Sequence, residues 1–169
     1  MNEHRAYWNE TAETMSRDEI WMLQEKRLLN KLPSAYERAA LLKQTWLTEG
    51  IHPRDVRSLE DFLSAAPTLE KDSVRKYRDT TGDAFGGMTV ALDDSYTVHS
   101  SSGTTGSPTL LPINDRDTSL FAESFARHFW CAGLRPGDTM SLAGGLYLRP
   151  MQSLYAGARR LGARVVMTD

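Results

Sequence analysis

The chain has 169 residues, 40% of them hydrophobic and 25% charged, with Gly, Pro and aromatic residues spread along its length; this excludes wholesale disorder and fits one ordinary domain, or a small domain plus part of a larger one. Its 20 basic and 22 acidic side chains leave a formal charge of -2, so no strong positive field exists to draw in DNA or RNA, and no nucleic-acid partner is expected. No apolar run approaches the ~20 residues of a bilayer-spanning helix, and the opening Met1-Asn2-Glu3-His4-Arg5 lacks an apolar signal core, so no membrane association and a cytoplasmic location are expected.

In chain order, the first part reads as short helices. Ser16-Arg17-Asp18-Glu19, Ser34-Ala35-Tyr36-Glu37 and Ser58-Leu59-Glu60-Asp61 each place an acidic residue three positions after a serine, the spacing at which two side chains satisfy the free amides of a first helical turn. Apolar stripes follow: Trp21, Leu28 and Leu32 with Met22 and Leu29, then Ala39, Leu42, Trp46 and Leu47 before Gly50. Ile51-His52-Pro53-Arg54-Asp55 and Ala66-Pro67-Thr68 read as turns, and the helical region is expected to end near Tyr77. The spacing thus divides the chain into a helical region, 1–79, and an α/β region, 80–169, opened by a Gly-, Thr- and Asp-rich junction from Thr80 to Gly87.

Tyr96-Thr97-Val98-His99 has strand character, and Leu110-Leu111 begins a return strand. Asn114 caps a helix with Leu120, Phe121, Phe125, Phe129 and Ala132 at helical spacing and Gly133 beyond its end. The lone cysteine, Cys131, lies in this apolar stretch; it permits no internal disulfide and reads as a buried, inert thiol in a reducing compartment. The turn Arg135-Pro136-Gly137-Asp138 leads to a strand around Met140 and Leu142, then Gly144-Gly145, a helix from near Pro150, and the strand Arg164-Val165-Val166-Met167. Strand, helix, strand is a parallel βαβ unit.

Between the first two strands stands Ser100-Ser101-Ser102-Gly103-Thr104-Thr105-Gly106-Ser107-Pro108-Thr109, in which seven of ten residues are Ser or Thr. Hydroxyls donate hydrogen bonds, and glycines let backbone amides converge on an oxyanion, so the composition suits a phosphate site. Ordinary turns share it, and composition alone leaves both readings open. A Walker A loop is excluded, because only two residues separate the glycines and no lysine follows.

The run Ser101-Ser102-Gly103-Thr104-Thr105-Gly106-Ser107-Pro108-Thr109 is similar to the signature phosphate loop of adenylate-forming enzymes, the acyl- and aryl-CoA synthetase superfamily. The surroundings narrow the resemblance to phenylacetate–CoA ligases: Val98-His99 before the loop, Ala132-Gly133-Leu134-Arg135-Pro136-Gly137-Asp138 after it, and Tyr155-Ala156-Gly157-Ala158 with Leu161-Gly162-Ala163 near the end. Upstream, Leu23-Gln24-Glu25-Lys26-Arg27-Leu28, Ile51-His52-Pro53-Arg54-Asp55-Val56 and Lys71-Asp72-Ser73-Val74-Arg75 resemble that family's N-terminal helical region.

The resemblance implies an α/β fold in which a helical N-terminal region precedes the start of an adenylate-forming N-terminal domain built on βαβ units. It implies ATP, Mg²⁺ and coenzyme A as cofactors and a small, aromatic carboxylic acid as substrate. A carboxylate attacks the α-phosphate to give an acyl adenylate and pyrophosphate, and a thiol then displaces AMP. Ser101, Ser102, Gly103, Thr104, Thr105 and Gly106 would hold the β- and γ-phosphates, with Thr105 also a candidate metal contact; Gly144, Gly145 and Tyr147 would line the acid pocket. His99 is a candidate catalytic residue because the family places a histidine there.

Two departures stand out. Relatives commonly carry a lysine in the loop where this chain has Ser107, and the wider superfamily has one at the position of Thr109. Losing it removes a charge-assisted contact of ~1.5–3 kcal/mol, so ATP affinity is expected to be weak unless Mg²⁺ compensates. The family's later elements, including the lid lysine, have no counterpart here, so the chain is expected to supply only the N-terminal part. It would then work as a homodimer or with a missing C-terminal portion. Acyl transfer to a protein thiol and a non-catalytic nucleotide-binding or assembly role are the alternatives.

Overall fold

The computed structural model describes residues 5–88, 96–101, 107–145 and 149–168. Two compact units make up the chain: Met15–Asp93, and Met1–Thr14 together with Asp94–Asp169.

The first unit is helical: α2 (Arg17–Arg38), α3 (Ala40–Thr48), α4 (Leu59–Ala65) and α5 (Lys71–Thr81), with a 3-10 turn at Pro53–Asp55. The remaining helix of this numbering, α1 (Glu10–Glu13), belongs to the other unit. The Ser16 side chain accepts from the Glu19 amide while the Glu19 carboxylate accepts from the Ser16 amide, so α2 starts on a capping box. Ser58 caps α4 through the Asp61 amide.

The expected start at Ser34 is absent, for α2 runs on through Pro33 to Arg38. The chain turns at Ala39, whose extended backbone offers no side-chain cap. The α3 start is satisfied at a distance: the Leu41 amide donates to the Gly87 carbonyl at 3.0 Å. Gly87 itself has φ +72, and a Cβ there would lie 2.9 Å from the Leu41 amide nitrogen, a close approach that only glycine allows.

Leu32, Tyr36, Trp46 and Val56 form the core of this unit, flanked by Leu29, Leu42, Ile51, Phe62 and Ala66. Tyr36 meets Trp46 edge-on with ring centroids 6.2 Å apart. Trp21, Met22 and Leu47, read as members of the apolar stripes, are exposed; full burial is confined to Leu32 and Tyr36 near the C-terminal end of α2 and to Leu41 and Trp46 on α3.

The second unit holds the strands. β1 (Tyr96–Ser100) pairs antiparallel with β2 (Leu110–Asn114), His99 opposite Leu111 and Ser100 opposite Leu110. β3 (Thr139–Ala143) and β4 (Arg164–Thr168) pair in parallel, connected through α7 (Arg149–Leu161), as the strand, helix, strand pattern predicts. Between the two pairs runs α6 (Asp115–Cys131), opened by an Asn114–Asp117 capping box.

Ala126, Trp130, Ala158, Leu161 and Ala163 are the core here. Its small residues let α6 and α7 approach closely: a Cβ on Gly157 would lie 2.3 Å from the Phe125 Cβ. Two stripe assignments on α6 are corrected. Leu120 is 61% exposed, because the inward face is Ala122, Ala126 and Trp130. Cys131 is exposed, not buried; it follows Trp130 by one residue, roughly 100° around the helix.

The N-terminal strap is fastened to this unit by the Trp130 indole, which donates to the Ala6 carbonyl at 3.1 Å, and by the Glu123 carboxylate. Glu123 accepts from Asn9 Nδ2 at 3.0 Å, Trp8 Nε1 at 3.3 Å and Arg160 Nε at 2.7 Å, and the Trp8 and Trp130 rings lie 6.0 Å apart. Partial burial by itself pushes the Glu123 carboxyl up, but the hydrogen bonds from Asn9, Arg160 and Trp8, with the Arg160 charge, outweigh it and hold the group below its ordinary 4.5. A lowered folded value contributes stability above the unfolded value that is lost as pH falls through the folded one. Glu123→Gln is therefore expected to cost about 1 kcal/mol at pH 7. Urea midpoints measured from pH 7 into acid should converge for the two proteins below 4.5; a difference that persists in acid would show the carboxylate is not responsible.

Candidate functional site

The neck of the hydroxyl-rich segment is built by the ends of β1 and β2. One residue past the strands, the Ser101 amide donates to the Thr109 carbonyl at 3.0 Å, continuing the antiparallel ladder. The reciprocal bond is altered: the Thr109 amide donates to the Ser101 hydroxyl, at 2.9 Å. The side chain thus takes the place that its own carbonyl would hold in a regular pair. Having accepted through a lone pair, that hydroxyl retains its proton for donation, which suits Ser101 to an anion at the mouth of the segment.

Ser102, Gly103, Thr104, Thr105 and Gly106 lie outside the described residues, as does Tyr147. Ser107 is exposed.

Strand alternation puts Thr97, His99 and Ser101 on one face of β1, with Ile113, Leu111 and Thr109 opposite them. His99 is 2% exposed. Among the described residues neither of its ring nitrogens has a hydrogen-bond partner, and the buried Thr109 hydroxyl has none either. Leaving a buried polar group unpaired costs about 1–3 kcal/mol, so this face is unusually expensive for a strand pair. Sequence reasoning singled out His99 but gave Thr109 no role beyond an absent lysine; the alternation of the two strands was the signal that would have joined them.

Gly144 and Gly145 follow β3. Gly144 has φ +127, and a Cβ there would stand 3.2 Å from the Met151 sulfur. Its amide donates to the Thr168 carbonyl at 3.1 Å, which prolongs the parallel pairing. The glycine therefore has a local reason for its place at the strand-to-helix turn. No cluster of three or more His, Cys, Asp or Glu side chains suited to a metal occurs among the described residues, and no helix among them is long and apolar enough to cross a membrane.

No protein-family model matches the chain. Curated relatives do: phenylacetate-coenzyme A ligase of Thermus thermophilus is 36% identical over 155 residues, covering 91% of this chain and 34% of the relative. The enzyme of the same name from Escherichia coli is 34% identical over 156 residues, again 91% of this chain and 34% of the relative.

Among solved structures, an open conformation of 2-hydroxyisobutyryl-CoA ligase in complex with 2-HIB-AMP and CoA superposes with a TM-score of 0.87 at 28% identity, over 100% of this chain and 39% of that one. The same ligase in its thioesterification state gives 0.85 at 32% identity, over 95% and 34%. The chain thus spans about a third of the length of the curated relatives it matches. Over that stretch the chain is similar to phenylacetate–CoA ligases and to an acyl-CoA ligase of known structure.

Proposed function

We propose that this chain supplies the nucleotide-gripping N-terminal part of an AMP-forming acid–CoA ligase, with the phosphate loop at 100–109 in the nucleotide-binding region 80–169. A carboxylate oxygen attacks the α-phosphorus of ATP, pyrophosphate leaves, and the thiol of coenzyme A then displaces AMP from the acyl adenylate. The observation that supports this best is the superposition of the whole chain on an acyl-CoA ligase holding an acyl adenylate and CoA.

On this reading Ser101, Ser102, Gly103, Thr104, Thr105 and Gly106 carry the β- and γ-phosphates. Their amides and hydroxyls would neutralise the charge of the leaving pyrophosphate, the electrostatic role that dominates such chemistry. Mg²⁺ bound to the phosphates would share that charge, with the Thr105 hydroxyl as its contact on this chain. Gly144, Gly145 and Tyr147 form the wall of the acid pocket, which we assign to a small aromatic acid. Later steps fall to residues outside this sequence, and we place a second copy or a C-terminal portion beside the chain to provide them, in the cytoplasm.

The experiment is ATP–pyrophosphate exchange with a panel of acids, run on the chain alone and with a C-terminal portion of a relative added. Acid-dependent exchange supports a ligase. Nucleotide protection with no exchange under either condition supports a binding or assembly module instead, and an adenylate that is discharged only by a protein thiol supports an acyl-protein synthetase.

The missing loop lysine gives a gain-of-function check. Ser107 is exposed, so the longer side chain has room. Ser107→Lys is expected to tighten MgATP binding by about tenfold or more, the equivalent of one charge-assisted hydrogen bond. A titration showing no gain would mean the phosphates do not pass this position.

A further inference from the structure

The N-terminal strap, residues 5–14, packs with the strand-bearing unit although all of 15–93 lies between them in sequence. Its helix α1 has no buried residue and is closed by its own side chains: the Asn9 side chain accepts from the Ala12 amide at 3.1 Å, and the Glu13 carboxylate from the Asn9 amide at 2.6 Å. Its hold on α6 is concentrated. Asn9 Nδ2 and Trp8 Nε1 both donate to Glu123, the Trp130 indole donates to the Ala6 carbonyl, and the Trp8 and Trp130 rings meet. The core of the unit, Ala126, Trp130, Ala158, Leu161 and Ala163, comes entirely from residues beyond the strap. Terminal segments with few buried contacts open at the low end of a protein's stability range, apart from global unfolding.

We propose that residues 5–14 form a latch that opens and closes as one piece on α6, with the charged Glu123 carboxylate as its catch, while the rest of the unit stays folded. An ionised carboxylate is an acceptor only, which suits the three N–H donors converging on it from Trp8, Asn9 and Arg160. Once protonated, it turns an O–H donor towards N–H groups and loses its attraction for Arg160. Burial opposes the charged form, and the hydrogen bonds from Asn9, Arg160 and Trp8 with the Arg160 charge outweigh that opposition. A seated strap and an ionised Glu123 therefore favour each other, and the latch is closed at neutral pH and opens in acid. The other charged groups around it are Glu10, Glu13 and Arg5 on the strap, with Arg5 5.6 Å from the Trp8 ring centroid. On α6, Arg127 stands one turn beyond Glu123, and Arg135 lies 4.1 Å from the Trp130 ring centroid. Opening uncovers Trp130, which is 7% exposed with the strap seated.

The test follows the indole N–H signals of Trp8 and Trp130 by nuclear magnetic resonance in the whole ¹⁵N-labelled chain, from neutral pH into acid. Trp8 touches Glu123, but Trp130 donates to Ala6, so a purely local response to the proton moves Trp8 alone. The latch moves both signals with one midpoint below 4.5, while the backbone amides of β3 and β4 keep their positions. Glu123→Gln leaves one acceptor oxygen and turns an NH₂ group to the donors; it should shift both indoles towards the open position at neutral pH, the closed-to-open ratio falling about fivefold. Glu13→Gln should leave both indoles closed at neutral pH. A Trp130 signal that ignores the Trp8 transition overturns the proposal, as do β3 and β4 amides that move with the same midpoint. So does a Glu123→Gln chain with both indoles at the wild-type positions, or a Glu13→Gln chain that opens in its place.

Discussion

Replacing Thr104 and Thr105 together with alanine is expected to weaken MgATP binding by about 100-fold or more while the thermal unfolding midpoint stays at the wild-type value. Each hydroxyl, donating to a phosphate oxygen, is worth ~1.5–3 kcal/mol, and a combined loss of about 3 kcal/mol already exceeds a factor of 100. The effect should be this large because the loop has no lysine to carry the affinity, and hydroxyls and amides are all it offers. Calorimetric titration gives the affinity, and a thermal scan without nucleotide gives the fold. Unchanged affinity in a folded double variant would remove the site from the loop; a collapsed midpoint would show that the hydroxyls serve the fold instead.

The second large effect is on stability. Gly157→Ala ought to help by helix propensity alone, since alanine is favoured over glycine by ~1 kcal/mol in a helix interior. Packing reverses the sign. The added Cβ would meet the Phe125 Cβ at 2.3 Å and the Phe125 carbonyl carbon at 3.1 Å, where carbon pairs prefer ~3.5–4.0 Å. The obstacle is backbone and Cβ, not the end of a mobile side chain, so α6 and α7 must move apart, and Ala126 and Ala158, both 0% exposed, lose their contacts with them. Overpacking of this kind costs ~1–3 kcal/mol, occasionally more; we expect a net loss of about 2 kcal/mol and a midpoint lowered by roughly 4–8 °C. Trimming Phe125 to alanine should not rescue the variant, because alanine keeps the offending Cβ. A Gly157→Ala chain as stable as wild type would mean the two helices pack less closely than described.

Much of the fold was legible because local chemistry and tertiary structure agree where the signals are strong. Ser16, Ser58 and Asn114 cap helices as their spacing predicts, and the strand, helix, strand order from Thr139 to Thr168 forms a parallel pair. Ser34 misleads because its serine-to-glutamate spacing is shared by helix interiors; the real break, at Ala39, is set by Gly87, whose carbonyl receives the Leu41 amide from far along the chain. Cys131 and Leu120 were misplaced because an apolar run does not say which side of the helix is inward, and the narrow Ala122, Ala126, Trp130 face settles that only through contact with α7.

The candidate site was legible as composition and resemblance, but not as geometry. That Ser101 substitutes its hydroxyl for its own carbonyl at the neck, and that Thr109 and His99 both lack a side-chain partner among the described residues, depends on register and burial. Likewise, nothing local to Glu123 announces that it receives Trp8, Asn9 and Arg160 at once; those donors are separated along the sequence and meet only in the folded unit.

The most direct measurement is a crystal structure of the chain with a non-hydrolysable ATP analogue and Mg²⁺. The account requires the β- and γ-phosphates to lie against Ser101 to Gly106, held by their amides and hydroxyls. A triphosphate bound at any other surface, with those residues making no contact to it, would contradict it.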